Sequence, residues 1–423
     1  MARRTTTARR RSQIQASRNG APSSPLEPDY DRATALVMEM MAIPGRSGEE
    51  RQVVEYISAA LRRAGAQSEW IQTDRAHQRS PLGGEVGNLI CRLPGTMRRP
   101  RRMMMAHLDT VPLCVGSQPK RSGDIVRSAD PATGLGADDR AGAAVVLSTA
   151  LAILEQQLPH PPLTLFWPVQ EEVGLHGARH ATLGQLGRPR LIFNFDGGSP
   201  EKLTVGATGA YRMEIDVHGV ASHAGGAPEK GVSAVAIAGL ALADIHRNGW
   251  HGAIHRKEGE GTSNVGVIHG GNATNVVVDR VQLKAEARSH DPEFRRQIAE
   301  AIEAAFHNAA AAVTNVDGQT GKVNIDRRHD YDSFNLPPDD ASGQAAEAAV
   351  RAAGGEPLRV ISNGGLDANW MTARGLPTVT LGCGQRNQHM VTEELDLNDF
   401  RLACRIALRL ATAAENEGAT NTR

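Results

Sequence analysis

Long apolar runs are missing from this 423-residue chain: no stretch approaches 18 consecutive apolar residues, which argues against a transmembrane helix. Net charge is missing as well. Lys+Arg and Asp+Glu both total 47, whereas a general nucleic-acid binder carries a basic imbalance. Cysteine is scarce. Cys91, Cys114, Cys383 and Cys404 are scattered with no CxxC pair, a spacing that suits neither a disulfide scaffold nor a thiolate zinc site. They read as small apolar residues in a reducing, cytoplasmic compartment. Aromatics make up only 4% of the chain, so Leu, Val, Ile and Ala must build most of the core.

What is present is ordinary for a globular protein, with 40% hydrophobic and 22% charged residues. The length exceeds one ordinary core and calls for two or three domains. The first residues, MARRTTTARRRSQIQASRNGAPSSP, hold six arginines before residue 20 and no acid before Glu27. No apolar segment follows them, so they read as a disordered basic tail over 1–28 rather than a secretory signal.

The pattern then predicts helices over 31–43 and from Ser47 to Gly65, the second opened by a capping box of Ser47 and Glu50. Strands are expected at 88–93, 102–107, 163–169 and 191–196, with a helix at 139–155. Alternating apolar strands and helices indicate a doubly wound α/β sheet. Near residue 206 the period changes. Strands at 211–219, 263–271, 281–289 and 322–328, with helices at 231–247 and 292–313, describe a small α/β sandwich. It reads as an insertion, because a helix at 341–353, a strand at 378–382 and a helix at 396–415 resume the first pattern. The expected organisation is a catalytic domain over 29–206 and 331–415, an inserted lid domain over 207–330, and a tail over 416–423.

Chemistry-bearing residues recur just past the apolar strands, where open α/β sheets bind ligands. They are His107 and Asp109, Asp138 and Asp139, Glu171 and Glu172, Asp196, and His389. Each alone is weak: a lone HxD is more often a polar loop, paired glutamates a solvated turn, and Asp before two glycines a plain turn. Their joint occurrence at strand ends is what points to metal. Divalent first-row metals take imidazole and carboxylate ligands, and a two-metal site with ions ~3.5–4 Å apart activates one water between them. Asp109 is placed to orient the His107 imidazole from behind. Of the Glu171–Glu172 pair, one would ligate metal and the other remain as general base.

The segments MAHLDTVP (105–112), GLGADDRAGAA (134–144), PVQEEVGLHGA (168–178), NFDGG (194–198), VHGVASHAG (217–225), GGNATNVV (270–277), KAEARSHD (284–291) and QHMVTEE (388–394) occur in this order. Together they resemble the carboxypeptidase G, aminoacylase and peptidase T family of dinuclear zinc hydrolases, and specifically its peptidase T-like branch. The resemblance spans about residues 30–415. It implies that His107 and Asp196 hold one metal and Glu172 and His389 the other. Asp138 would bridge both, with a cis bond to Asp139. Glu171 would be the general base and Asp109 would orient His107. It further implies that the inserted domain is a lid that pairs two subunits, and that His223, Asn275 and Arg288 contact substrate. Gly364 and Gly365 in NGGLDAN resemble a loop where backbone approaches substrate. The spacing from His389 to the following acids departs from that of many relatives, which puts the local loop in doubt.

These residues predict a metallopeptidase using two divalent ions, zinc before cobalt or manganese, to hydrolyse short peptides as an aminopeptidase. N-acyl-amino-acid deacylase or carboxypeptidase activity on the same machinery is the alternative. A non-catalytic peptide- or metal-binding protein is a further one, disfavoured because every ligand and the base are present. The partners expected are a small peptide or N-acyl amino acid and a second copy of the chain, with no membrane. Nucleic-acid association through the arginine-rich tail is the weakest reading.

Overall fold

The computed structural model describes residues 27–412. The basic tail expected over 1–28, apart from Glu27 and Pro28, and the tail expected at 416–423 lie outside these residues. Glu27 is anchored, its carboxylate 3.0 Å from the Arg405 guanidinium.

A nine-stranded mixed sheet carries the larger part of the chain. Four parallel strands form its centre, in the spatial order Leu163–Trp167, Arg102–Met105, Leu191–Phe195 and Val379–Leu381. Leu89–Leu93 runs antiparallel along one side and Lys202–Ala207 along the other. The central strands are buried throughout, because helices cover both faces. The strand Arg102–Met105 shows how period two sorts the side chains. Met104 packs into the main core, shared with the helices Tyr30–Ala42, Arg51–Arg63, Ala137–Gln156, Ala341–Ala352 and Leu397–Thr412. Met103 and Met105 point to the opposite face, against Ile90, Phe166, Ile192, Ala178 and Met371. The doubly wound arrangement is therefore the one the apolar runs indicate.

A second sheet has five antiparallel strands, ordered Gly252–Arg256, Gly259–Gly270, Arg280–Ser289, Gly209–His218 and Lys322–Tyr331. Met213, Ile215, Val217 and Leu283 pack beneath the helices Ala234–Arg247 and Pro292–Ala312 in a separate apolar cluster. The uncovered face is polar, with Glu214 and Asp216 paired to Lys284 and Arg280. The alternating pattern locates four of these strands. It misses Gly252–Arg256, an edge strand whose sequence GAIHR offers one buried apolar residue, Ile254.

The capping box expected at Ser47 is not formed. The helix begins at Arg51, and the Ser47 hydroxyl donates instead to Asp109 Oδ2 at 2.6 Å. The hydroxyl is drawn to a buried carboxylate, and hydrogen bonds to a charged group are roughly twice as strong as neutral ones. Glu50 Oε1 accepts from the backbone N–H groups of Gly48 (2.8 Å) and Gln170 (3.1 Å), tying the helix start to the Glu171 turn.

The long helix Ala137–Gln156 lies close against the strand Leu191–Phe195 because Gly142 has no side chain. A Cβ there would fall 1.9 Å from the Phe195 carbonyl oxygen and 2.5 Å from Asp139 Oδ1. Gly142→Ala is expected to destabilise the fold by about 1–3 kcal/mol and to weaken metal binding, since both contacts adjoin the candidate ligands. A urea midpoint and metal content equal to those of the parent protein would refute this.

Candidate metal centre

The four central strands are parallel, so their C-terminal ends open on one edge of the sheet. His107 follows Met105, the Glu171–Glu172 turn follows Trp167, Asp196 follows Phe195, and the segment carrying His389 follows Leu381. Asp138 arrives from a different direction. It sits at the kinked entry of the helix Ala137–Gln156, with φ −81° and ψ 106°, and its bond to Asp139 is cis.

Two acids hold these pieces in place. Asp109 is fully buried and accepts from Ser47, from the Glu171 N–H at 2.9 Å and from the Glu172 N–H at 3.1 Å. It also faces His107: Nδ1 lies 3.1 Å from the Asp109 carbonyl oxygen and 3.5 Å from Oδ1. Glu393 is 1% exposed and accepts from the backbone N–H groups of Leu135 (2.8 Å), Gly136 (2.7 Å) and Asp138 (3.0 Å). It clamps the loop that presents Asp138. Asp139 points away beneath the site and accepts from the His107 N–H, the Gly142 N–H and the Gln385 amide.

The resulting cluster has two overlapping halves. Donor atoms of His107, Asp138 and Asp196 lie within 4.8 Å of one another, and so do those of Asp138, Glu172 and His389. Asp138 belongs to both: Oδ1 is 3.2 Å from His107 Nε2, and Oδ2 is 3.3 Å from His389 Nε2. His389 Nε2 is also 2.9 Å from Glu172 Oε2. His389 takes a positive φ of 62°, as a loop residue turned back onto the cluster does.

Charge within this donor set is unbalanced in the direction that attracts cations. Burial and the neighbouring Asp138 push the Asp196 carboxyl up to about 7. Burial also raises Glu172 and drives Glu171 well above its ordinary range, with Asp367 and Glu172 adding repulsion. Hydrogen bonds to Asp138 and Glu172 push His389 up to about 10. Against the penalty of burial, the two imidazoles hold Asp138 well below the usual carboxylate range. Protons and imidazoles thus balance a concentration of carboxylates that suits two divalent ions with one shared ligand.

The outlying residues are placed differently. His223 pairs with Val276 in a two-residue ladder, and the Asn275 carbonyl accepts from the Ala224 N–H at 2.9 Å, so His223 and Asn275 share one corner. His223 Nδ1 accepts from Gly225 and Gly226. Among the described residues, no hydrogen bond or ion pair joins His223 or Asn275 to the metal cluster. Arg288 is forked onto Glu286 at 2.9 and 3.0 Å, with Tyr331 and Asp330 nearby. Gly365 lies against Tyr331, where a Cβ would fall 2.4 Å from the phenol oxygen, and the Gly364 N–H donates to Ser362 Oγ at 3.0 Å. Two site residues have no counterpart in the sequence reading. Glu393 lies in the QHMVTEE segment and Asp367 in NGGLDAN, yet nothing in the pattern marks either acid as buried.

A peptidase dimerisation domain model matches residues 205–314, and a peptidase family M28 model matches residues 88–227. The Bacillus subtilis protein YqjE is 31% identical over 75% of this chain and 82% of its own. The solved structure of a tripeptidase from Staphylococcus aureus superposes with a TM-score of 0.81 at 28% identity, covering 91% of this chain and 98% of that one. That of aminopeptidase PepT from Bacillus cereus gives 0.77 at 28% identity, with the same coverage.

Two expectations follow from the geometry. Glu393→Ala leaves three buried N–H groups without an acceptor and is expected to cost on the order of 2–4 kcal/mol and to lower metal occupancy. Equal melting temperature and equal zinc retention on dialysis would contradict the clamp. The second concerns pH in the metal-free protein. Asp196 at about 7, Asp367 at about 8 and His389 at about 10 all lie above their unfolded values. The folded chain therefore holds more protons than the unfolded one from roughly pH 4 to roughly pH 10, and stability falls as pH rises through that window. Melting temperature without metal should drop between about pH 6 and about pH 9, and added divalent cation should raise it and flatten the decline. A metal-free melting temperature that climbs over the same interval would count against the site.

Proposed function

From the premise that the chain belongs to the family of metal-dependent peptidases that includes peptidase T and carboxypeptidase G, we propose that it is an aminopeptidase acting on short peptides with two zinc ions. The observation that carries this reading is a pair of donor triads sharing Asp138, with Glu171 buried beside them and belonging to neither. In it His107 and Asp196 would hold one ion and Glu172 and His389 the other, with Asp138 available to both. Mixed imidazole and carboxylate donors favour zinc, with cobalt and manganese as substitutes. When bound, such ions polarise a scissile carbonyl and acidify the attacking water.

The remaining chemistry belongs to the chain. Glu171 is the general base: its carboxylate takes the proton from the attacking water and delivers it to the nitrogen of the leaving amine. Asp109 supports both partners of that step, receiving the N–H groups of the Glu171–Glu172 turn while fixing the imidazole of His107. The region 207–330 serves as lid and dimerisation domain, supported by the dimerisation-domain match over 205–314. His223 and Asn275 share one corner, and among the described residues neither is bonded to its own metal cluster, which suits delivery to the active site of a second copy. Arg288 must leave Glu286 to take a substrate carboxylate. The two structural relatives, a tripeptidase and an aminopeptidase, support a free N-terminus on the substrate. Four buried free cysteines fit a reducing compartment, the cytoplasm.

The test combines metal analysis with a panel of tripeptides, N-acyl amino acids and N-blocked peptides. Two ions per chain and release of a free N-terminal residue are expected; cleavage of only acylated or N-blocked substrates would replace the aminopeptidase reading with deacylase or carboxypeptidase. Glu171→Gln should lower turnover at least ~10²-fold with both ions retained. Full activity in that variant would remove Glu171 from its role.

A further inference from the structure

Among the described residues, Asp367 is a buried acid near the centre that receives no hydrogen bond. It opens the short helix Asp367–Ala373, is 1% exposed, and neither of its carboxylate oxygens has a hydrogen-bond partner. Buried carboxylates in such a state are rare. Several of its neighbours at this edge are provided for. Asp109 has three donors, Glu393 three N–H groups, Asp139 an amide and two N–H groups, and Asp138 two imidazoles.

Asp367 lies within electrostatic reach of the reaction centre. The groups that act on it electrostatically are His107, Asp109, Asp196 and Glu172, and it in turn acts on Glu171. It is held there firmly. Asn369, itself 1% exposed, accepts from the Leu366 N–H at 2.9 Å and donates to the carbonyls of Thr208 (2.9 Å) and Asp332 (2.7 Å). A buried carboxyl without donors keeps its proton until a cation arrives to pair with it.

A metal is not that cation, because Asp367 belongs to neither donor triad and no third cluster forms around it among the described residues. The alternative is an ammonium group carried in by the substrate. In a peptide, the N-terminal nitrogen is separated from the first scissile carbonyl by a single carbon. A group that binds the ammonium must therefore stand beside the base and the metal ligands, which is where Asp367 stands.

We propose that Asp367 binds the free α-ammonium of the substrate and so restricts cleavage to peptides with unblocked N-termini. This rests on the aminopeptidase reading and names the residue that would impose it.

The test uses the metal-loaded enzyme and its Asp367→Asn variant on leucyl-glycyl-glycine and its N-acetylated counterpart. In the parent, the free tripeptide is preferred. In the variant, kcat/KM for the free tripeptide should fall at least ~30-fold, mainly through KM, as loss of one partner of a buried charge pair implies. The preference over the acetylated peptide should collapse. Metal content should remain at two ions per chain, and the melting temperature should hold or rise, because an unpaired buried charge has been removed. Asp367→Glu should restore part of the preference, and Asp367→Ser offers a smaller uncharged side chain should Asn not be accommodated. A variant that keeps the parent's preference overturns the role of Asp367 alone. Equal loss on both substrates, or loss of metal or of melting temperature, makes Asp367 structural and overturns it as well. A parent enzyme that cleaves only the acetylated peptide overturns the aminopeptidase reading and this proposal together.

Discussion

The constraint on which the rest of the structure depends is the crowding of buried carboxylates at one edge of the sheet. Asp109, Asp138, Asp139, Glu171, Glu172, Asp196 and Asp367 gather there against His107, His389 and the buried Arg140. Isolated buried charge is too costly to survive in such numbers. The fold meets the problem with three devices. Backbone N–H groups and amides are directed at Asp109, Asp139 and Glu393. Arg140 lies near Asp109 and Glu50, and its guanidinium meets the carbonyls of Met40 and Gly45. What remains, centred on Asp138 and Asp196, is left for cations that bind only the folded state, so metal affinity is also folding stability.

This division explains which parts of the site are legible in the sequence. Residues that face the metals stand at the ends of apolar strands, and the apolar run announces the strand while the acid or histidine announces the break. His107, Glu171, Glu172 and Asp196 are marked in that way. Residues that hold them have no such marker. Glu393 is one of two adjacent glutamates in a loop, and only the fold reveals that it closes on the N–H groups of Leu135, Gly136 and Asp138. Ser47 carries the signature of a helix cap, and the signature misleads because its hydroxyl is drawn to Asp109, a buried carboxylate distant in sequence. Long-range competition of this kind leaves no trace in local periodicity. The same limit hides the edge strand Gly252–Arg256, whose pairing with Gly259–Gly270 supplies what its composition does not.

The second sheet meets a different demand. Its covered face is apolar and its open face is charged, yet Arg288 and Tyr331, on the two strands that flank Gly209–His218, both stand close to Asp330, and Tyr331 is within electrostatic reach of Glu171. Gly365 makes room for the Tyr331 ring. His223 and Asn275 lie together at a corner of their own, and among the described residues no hydrogen bond or ion pair joins either to the candidate metal cluster. That separation suits a rigid chemical centre served by a movable wall.

Asp109 makes the centre behave as a unit rather than as a set of side chains. One of its oxygens takes the Glu171 N–H and the other takes both the Glu172 N–H and the Ser47 hydroxyl, while the same residue faces the His107 ring. A ligand of each metal and the candidate base are consequently positioned by one buried carboxylate. Shifting it moves the imidazole on one side and the glutamate turn on the other, so the placement of the cations and the placement of the proton acceptor are not independent variables. The effects of substitutions at Ser47, His107 and Glu172 must then fail to add, as groups sharing one partner do. The site keeps its geometry because a single residue, exposed to no solvent, joins the strand end to the turn.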